Sequence, residues 1–208
     1  MPGVSERQRR VLSKIYASQF TDKSRLDYLS QELETSSDQL LDELAVLRKA
    51  NLIFGKKLPR LAPAGREEIC VVMAGGTFDI VHPGHLETLE QARALGDALV
   101  VSVARDATFR RNKGRDPLHN ESMRRRLVSA LKSVDAAILG SEHEILKTAV
   151  KVSPDIIALG YDQRHDGIEI RKQLARRGVK VRIVRLKSTM PDIKTRKILQ
   201  SSHSLDVV

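Results

Sequence analysis

Residues 75–85 read Gly-Gly-Thr-Phe-Asp-Ile-Val-His-Pro-Gly-His and follow the apolar run Ile69, Cys70, Val71, Val72, Met73, Ala74. That run has the length and content of a strand buried on both faces. Two glycines at its end let the backbone turn tightly and let a ligand approach closely. Pro83 suits a first helical turn, so a helix opens at the histidines. Free N–H groups and the positive end of the helix dipole there favour phosphate. His82 and His85 project from one turn, where they can donate hydrogen bonds to phosphoryl oxygens as charge builds in a transition state. A His-x-x-His pair is also half of a metal site, but no third ligand stands at a matching spacing, so no protein metal centre is expected.

Downstream, apolar runs alternate with amphipathic stretches. Strands are expected at 69–74, 98–103, 136–139, 155–159 and 179–186, and helices at 84–95, 122–132, 145–152, 167–177 and 193–200. Repeated β-α units with continuously apolar strands imply an α/β fold, a five-stranded parallel sheet covered on both faces. Ligands of such sheets sit at the C-terminal strand ends, near the switch point. The first 60 residues differ. Helices are expected at 6–18, 24–34 and from Ser36 or Ser37 to about Asn51, followed by an extended basic segment. Three helices and a hairpin-like end resemble a small winged helix-turn-helix domain. The expected organisation is therefore a helical domain over 1–60, a linker over 61–68 holding Pro63 and Gly65, a catalytic domain over 69–200 and a loose tail over 201–208.

Composition narrows the function classes. The chain of 208 residues has one cysteine, Cys70, which excludes an internal disulfide or a multi-cysteine metal site and fits a reducing cytoplasm. No apolar run reaches the roughly 18 residues of a membrane span, and the N-terminus lacks a secretory layout. The net charge is +10. Residues 1–66 hold 12 Lys/Arg against 8 Asp/Glu, and residues 67–208 hold 24 against 18, so the excess (+4 and +6) is spread over both parts. A phosphate-handling site explains that as well as nucleic-acid binding does.

At residues 75–85 the sequence resembles the cytidylyltransferase-like family of nucleotidyltransferases, over about residues 69–199. The family includes glycerol-phosphate and phosphocholine cytidylyltransferases, pantetheine-phosphate adenylyltransferase and archaeal FAD synthase. The resemblance implies a Rossmann-like nucleotidyltransferase domain that moves NMP from an NTP to a phosphorylated acceptor and releases pyrophosphate. It implies that His82 and His85 bind the triphosphate, with Pro83 and Gly84 between them, and that Thr77 and Phe78 contact the nucleotide through their backbone. Further blocks are Ala104-Arg105-Asp106, Asn112-Lys113-Gly114-Arg115, Arg124-Arg125 and Gly160-Tyr161-Asp162-Gln163; together they look most like the archaeal FAD synthase branch, which adenylates FMN. On that resemblance Lys113 neutralises the β/γ phosphates, Arg124 contacts phosphate from its helix, Asp162 contacts the nucleotide and Thr195 supplies a hydroxyl. Taken alone, Arg124 to Arg126 read as a solvated helix face. Mg²⁺ is expected to be carried by the NTP, with Asp79 either an indirect ligand or a bond to the loop backbone. Two departures from the branch stand in the segment 188–196: Met190 where cysteine is usual and Lys194 where a small residue is usual.

Several choices remain open in the sequence. ATP with FMN is the favoured pair, and CTP with glycerol phosphate or a similar small phosphate is the alternative. The catalytic region has only Phe78, Phe109 and Tyr161 as aromatic residues, so a flavin ring would meet aliphatic walls. A homo-oligomer, most simply a dimer, is expected. In a second class of reading, residues 1–60 bind DNA and the chain is a nucleotide- or flavin-sensing regulator. Asp38, Asp42 and Glu43 on the candidate recognition helix oppose the phosphate-driven part of DNA affinity, while Lys56, Lys57 and Arg60 serve as a phosphate-contacting wing or as a solvated linker.

Overall fold

In a computed structural model the described residues are 3–21, 25–55, 58–142, 145–163, 165–188, 190–193, 195 and 198. The expected tail 201–208, most of the expected last helix 193–200, and Lys56, Lys57 and Lys194 lie outside them.

The chain opens with α1 (Glu6–Ser18), α2 (Arg25–Leu33) and α3 (Ser37–Lys49). Both α1 and α3 begin with a capping box, Ser5 with Gln8 and Ser36 with Gln39, which satisfies two orphan N–H groups at each start. Leu40, Leu44 and Leu47 repeat on one face of α3 and are at most 1% exposed. A short antiparallel pair follows, β1 (Ile53–Phe54) with β2 (Arg60–Leu61). Three helices and a two-stranded hairpin are the elements the sequence predicts.

The five-stranded sheet is wholly parallel. It comprises β3 (Val71–Gly76), β4 (Ala98–Val103), β5 (Ala136–Leu139), β6 (Ile156–Leu159) and β7 (Arg182–Arg185), in the order β5-β4-β3-β6-β7. The crossovers hold α5 (Pro83–Arg93), α6 (Asp106–Lys113), α7 (Glu121–Ser129), α8 (Ile145–Val152) and α9 (Gly167–Ala175), while α4 (Pro63–Glu67) precedes the sheet. This is the expected Rossmann-like α/β arrangement. Period-two alternation sorts the side chains: Val72, Ala74, Leu99 and Val101 pack with Leu89 of α5 and Val128 of α7, and Val71, Met73, Ala98 and Val100 face the other way. No described helix is long and apolar enough to cross a membrane.

The parts expected as a helical domain over 1–60, a linker over 61–68 and a catalytic domain over 69–200 pack closely against one another. Val11, Leu12, Ile15, Leu29 and Leu44 belong to one continuous core with Val71, Met73, Val100 and Ile138 of the sheet. The N-terminal helices thus share with α8 and α9 the task of covering one sheet face. Lys14 Nζ pairs with the buried Asp135 at 2.8 Å, Tyr28 Oη donates to the Asp135 carbonyl at 3.3 Å, and Tyr16 Oη donates to the Val152 carbonyl. The segment read as a linker is folded as well. A Cβ at Gly65 would sit 2.0 Å from the Leu52 carbonyl oxygen, so only glycine lets α4 press onto the hairpin. Arg66 donates to the Ile69 carbonyl at 3.0 Å and to Asp155 at 2.9 Å, which fixes α4 against the sheet.

Candidate active site

Beyond Gly76 the chain turns back on itself. Phe78 is left-handed, with φ +50°, and only 4% exposed. A Cβ at Gly76 would lie 2.9 Å from the Phe78 ring, so glycine there is what lets the ring tuck beneath the strand end. The ring then supports His85, 5.2 Å away between centroids. His82 is the N-cap of α5, with extended backbone (φ −142°, ψ 166°), and no side chain caps the helix. The positive end of α5 is therefore offered to a ligand.

The rings of His82 and His85 lie against each other, tilted by 34°, with centroids 3.9 Å apart. The Nδ1 atoms of both are buried and lack a hydrogen-bond partner among the described residues. Leaving a buried polar atom unpaired costs about 1–3 kcal/mol, and a phosphate oxygen is the kind of acceptor an imidazole N–H needs. Burial pushes His85 down to about 4, with neighbouring His82 adding to the effect and Asp162 opposing it. Burial lowers His82 too, against the pull of Asp162. Both imidazoles are neutral at pH 7, so each has one N–H to donate.

A cavity of about 1390 Å³ opens at the C-terminal edge of the sheet, where β3 and β6 diverge in connectivity. Thr77, Phe78, His82, Gly84, His85, Lys113, Asp162 and Thr195 all line it, so these expected site residues are brought together. Pro83 occupies the first position of α5 behind them. Lys113 ends α6, and Gly114 in the left-handed region (φ +68°) terminates that helix at the cavity rim. Ser188 and Met190 also line the cavity, and Ser188 Oγ lies 3.2 Å from Glu87 Oε2 of α5. Thr195 Oγ1 reaches the Ile80 carbonyl at 3.5 Å, while Thr189, Lys194 and Arg196 are outside the described residues.

Arg124, expected to contact phosphate, does not reach the cavity. It is 0% exposed, and its guanidinium donates to the carbonyls of His119 (2.9 Å), Thr77 (2.5 Å) and Ala104 (2.8 Å) and to Asp106 (2.7 Å). A rigid fork of donors here ties the ends of β3 and β4 to the start of α6. The solvated-face reading of Arg124 is equally overturned by that burial. Asp79 takes the structural alternative: at 2% exposure it accepts from Arg115 at 2.6 Å and from the Leu118 N–H at 2.8 Å, which anchors the loop after α6.

Two further residues carry weight that sequence reasoning did not assign. Gln163 Nε2 donates to the Gly75 carbonyl at 2.7 Å and its Oε1 accepts from the Gly160 N–H at 3.2 Å, which bridges the ends of β3 and β6. Arg185, the last residue of β7, donates to the carbonyls of Gly160 (3.2 Å), Gln163 (2.6 Å) and His165 (2.9 Å). Together they hold the turn that presents Asp162 to the histidines. Sequence alone does not single out Arg185, because Lys180 and Arg182 are basic residues of the same expected strand.

The chain is 54% identical over 116 residues to an FAD synthase of Aciduliprofundum boonei, covering 56% of this chain and 77% of that one. It is 53% identical over 115 residues to an FAD synthase of Thermoplasma acidophilum, covering 55% and 80%. A solved structure described as the lipopolysaccharide core biosynthesis protein from Thermoplasma volcanium GSS1 superposes with a TM-score of 0.55 at 48% identity, covering 58% of this chain and 98% of that one. Residues 73–203, which hold the glycine turn, the histidine pair and every wall of the cavity just described, match the cytidylyltransferase-like family model, and to that family this chain belongs.

Proposed function

We propose that this nucleotidyltransferase transfers AMP from ATP to FMN, giving FAD and pyrophosphate. The observation that carries nucleotidyl transfer is the closely packed pair His82 and His85, whose buried Nδ1 atoms have no partner among the described residues, at the uncapped start of α5. The FMN acceptor is supported by the relatives named FAD synthase.

An oxygen of the FMN phosphate attacks the α-phosphorus of ATP in line. The bond from the α-phosphorus to the oxygen bridging to the β-phosphorus breaks, and pyrophosphate leaves with that electron pair. No protein nucleophile is required, so catalysis is positioning plus charge stabilisation. His82 and His85 donate to triphosphate oxygens, and the start of α5 adds its dipole. Backbone groups of Thr77 and Phe78 fix the α-phosphate beside the end of β3. Lys113, on the rim, brings a mobile point charge to the leaving pyrophosphate. Asp162 holds the nucleotide and orients the imidazoles, and Thr195 offers a hydroxyl. Mg²⁺ carried by the triphosphate would neutralise part of its charge; Asp162, the carboxylate beside the histidines, fits it, whereas Asp79 is engaged by Arg115.

The test is a substrate matrix under reducing conditions with Mg²⁺, reading pyrophosphate. ATP with FMN is expected to turn over, and His85→Ala to abolish turnover while the fold survives. Turnover of CTP with glycerol phosphate in place of ATP with FMN would overturn the acceptor, and full activity in His85→Ala would overturn the site.

A further inference from the structure

We propose that the outward face of α3, with the hairpin beside it, docks a second copy of this chain, the two α3 helices lying antiparallel across a two-fold axis. Leu40, Leu44 and Leu47 turn one side of α3 into the core. At 3.6 residues per turn the opposite side carries Asp38, Leu41, Asp42, Ala45, Val46 and Lys49, within an arc of about 140°. All six are exposed, Leu41 by 49% and Val46 by 55%. Arg48 ties the adjoining hairpin to this helix, donating to the Gly55 carbonyl through Nε at 3.2 Å and through its terminal nitrogen at 3.1 Å. That hairpin brings Phe54 and Leu58, 54% and 52% exposed. Four large apolar side chains half open to water on adjoining elements differ from the scattered single residues that any surface carries, and mark an interaction site. No residue of α3 lines the active-site cavity, so a second copy here leaves the cavity open.

Charge decides what this face fits. Nucleic acid demands a basic surface, yet the first half of the arc carries Asp38 and Asp42, and the only lysine of the arc is Lys49. Glu43, the third acid of the helix, lies outside the arc and is engaged by Arg7 at 2.9 Å. Asp38, Asp42 and Lys49 have no ion-pair partner among the described residues. A helix face acidic at its start, apolar in its middle and basic at its end is the complement of its own reverse. Two-fold pairing sets Asp38 and Asp42 of each copy against Lys49 of the other, twice per dimer, around a middle turn of Leu41, Ala45 and Val46. The small side chain of Ala45 allows close approach there, and antiparallel helix dipoles attract. An interface of this kind uses the same patch on both copies, so association stops at two. The charges at its ends set register and orientation more than affinity.

Sedimentation equilibrium of the full chain at low salt should show the mass doubling as concentration rises through about 1–100 μM, the range of a small and transient interface. Asp38→Lys and Lys49→Asp each place like charges against each other at both ends of the helix pair, and each should weaken the dimer by about tenfold or more. The double variant Asp38→Lys with Lys49→Asp restores opposite charges and should recover most of the parent's association. Each substitution also opposes the helix dipole, so damage to the fold alone would add up in the double variant instead of cancelling. Leu41→Gln, in the apolar middle, should weaken the dimer as well and leave kcat unchanged. A chain that stays monomeric up to about 1 mM, a dimer indifferent to all of these variants, or a double variant weaker than either single one would overturn the proposal. A monomer that binds a random-sequence DNA duplex at low salt, and loses that binding in Lys49→Asp, would overturn it in favour of nucleic acid.

Discussion

Replacing Arg124 by glutamine separates two roles that an arginine on this helix can have. If Arg124 held phosphate, Arg124→Gln would raise the KM for ATP and leave stability alone. The structure dictates the reverse order. The guanidinium is 0% exposed and donates to three backbone carbonyls and to Asp106, whose side chain is 22% exposed. Removing one partner of a buried, hydrogen-bonded pair costs about 3–5 kcal/mol; partial exposure of Asp106 lets water recover some of that, which puts the loss near 3 kcal/mol. For a chain of this size each kcal/mol lowers the melting midpoint by about 2–4 °C, so Arg124→Gln should melt about 6–12 °C below the parent. Arg124→Lys keeps the charge but loses the planar fork, and should fall between the two. The assay is calorimetric melting of the three proteins, paired with kinetics well below the lowest midpoint. Because Thr77 and Ala104 border the cavity, kcat should fall as well. A variant as stable as the parent, with only the ATP KM raised, would refute the structural role and restore the phosphate contact.

Other consequences follow from the same contacts. His85 titrates near 4 in the free site, below the ordinary value of 6.5, so the native state binds the proton less well than the unfolded chain. Stability is then fully present above about pH 6.5 and declines as pH falls toward 4, by about 3 kcal/mol from this group; the decline should be shallower in His85→Gln melts, with the part due to His82 remaining. Triphosphate beside the imidazoles favours their charged form, so ATP binding in that window should take up protons, measurable by titration calorimetry in buffers of different ionisation enthalpy. Deleting residues 1–60 should leave the remainder aggregated or molten, since those helices share a core with the sheet; a soluble remnant with native near-ultraviolet dichroism would show that the two parts fold separately. Gly76→Ala, whose methyl would meet the buried Phe78 ring at 2.9 Å, should lower both kcat and the melting midpoint, and wild-type turnover would contradict the supporting role given to that ring.

The elements legible in the sequence are those whose own residues carry a period or a cap. Ser5 with Gln8 and Ser36 with Gln39 announce helix starts, and the runs at β3 and β4 are apolar enough to be read as buried strands without further context. Helix α6 carries one buried apolar residue, Phe109, so no period marks it, and α4 reads Pro-Ala-Gly-Arg-Glu, the composition of a turn. Residues 75–85 are legible as a site because strand, turn and helix start are all local, and His82 and His85 meet through helix geometry alone. Arg124 is not, because what surrounds it comes from the ends of two other strands; its helix shows only a basic face. The same limit applies to the packing of the residues before 60. Val11, Leu12 and Ile15 predict that α1 buries one face, but not what covers it, and the sheet face over α8 and α9 was equally silent about its missing cover. The two unmet surfaces satisfy each other, and through Lys14 and Tyr28 they converge on Asp135. Asp135 in turn accepts from the Leu99 N–H at 2.7 Å at the start of β4, the strand whose far end reaches Ala104 and the cavity. The N-terminal helices therefore belong to the structural support of the site, a role that a reading of them as a detachable module would not contain.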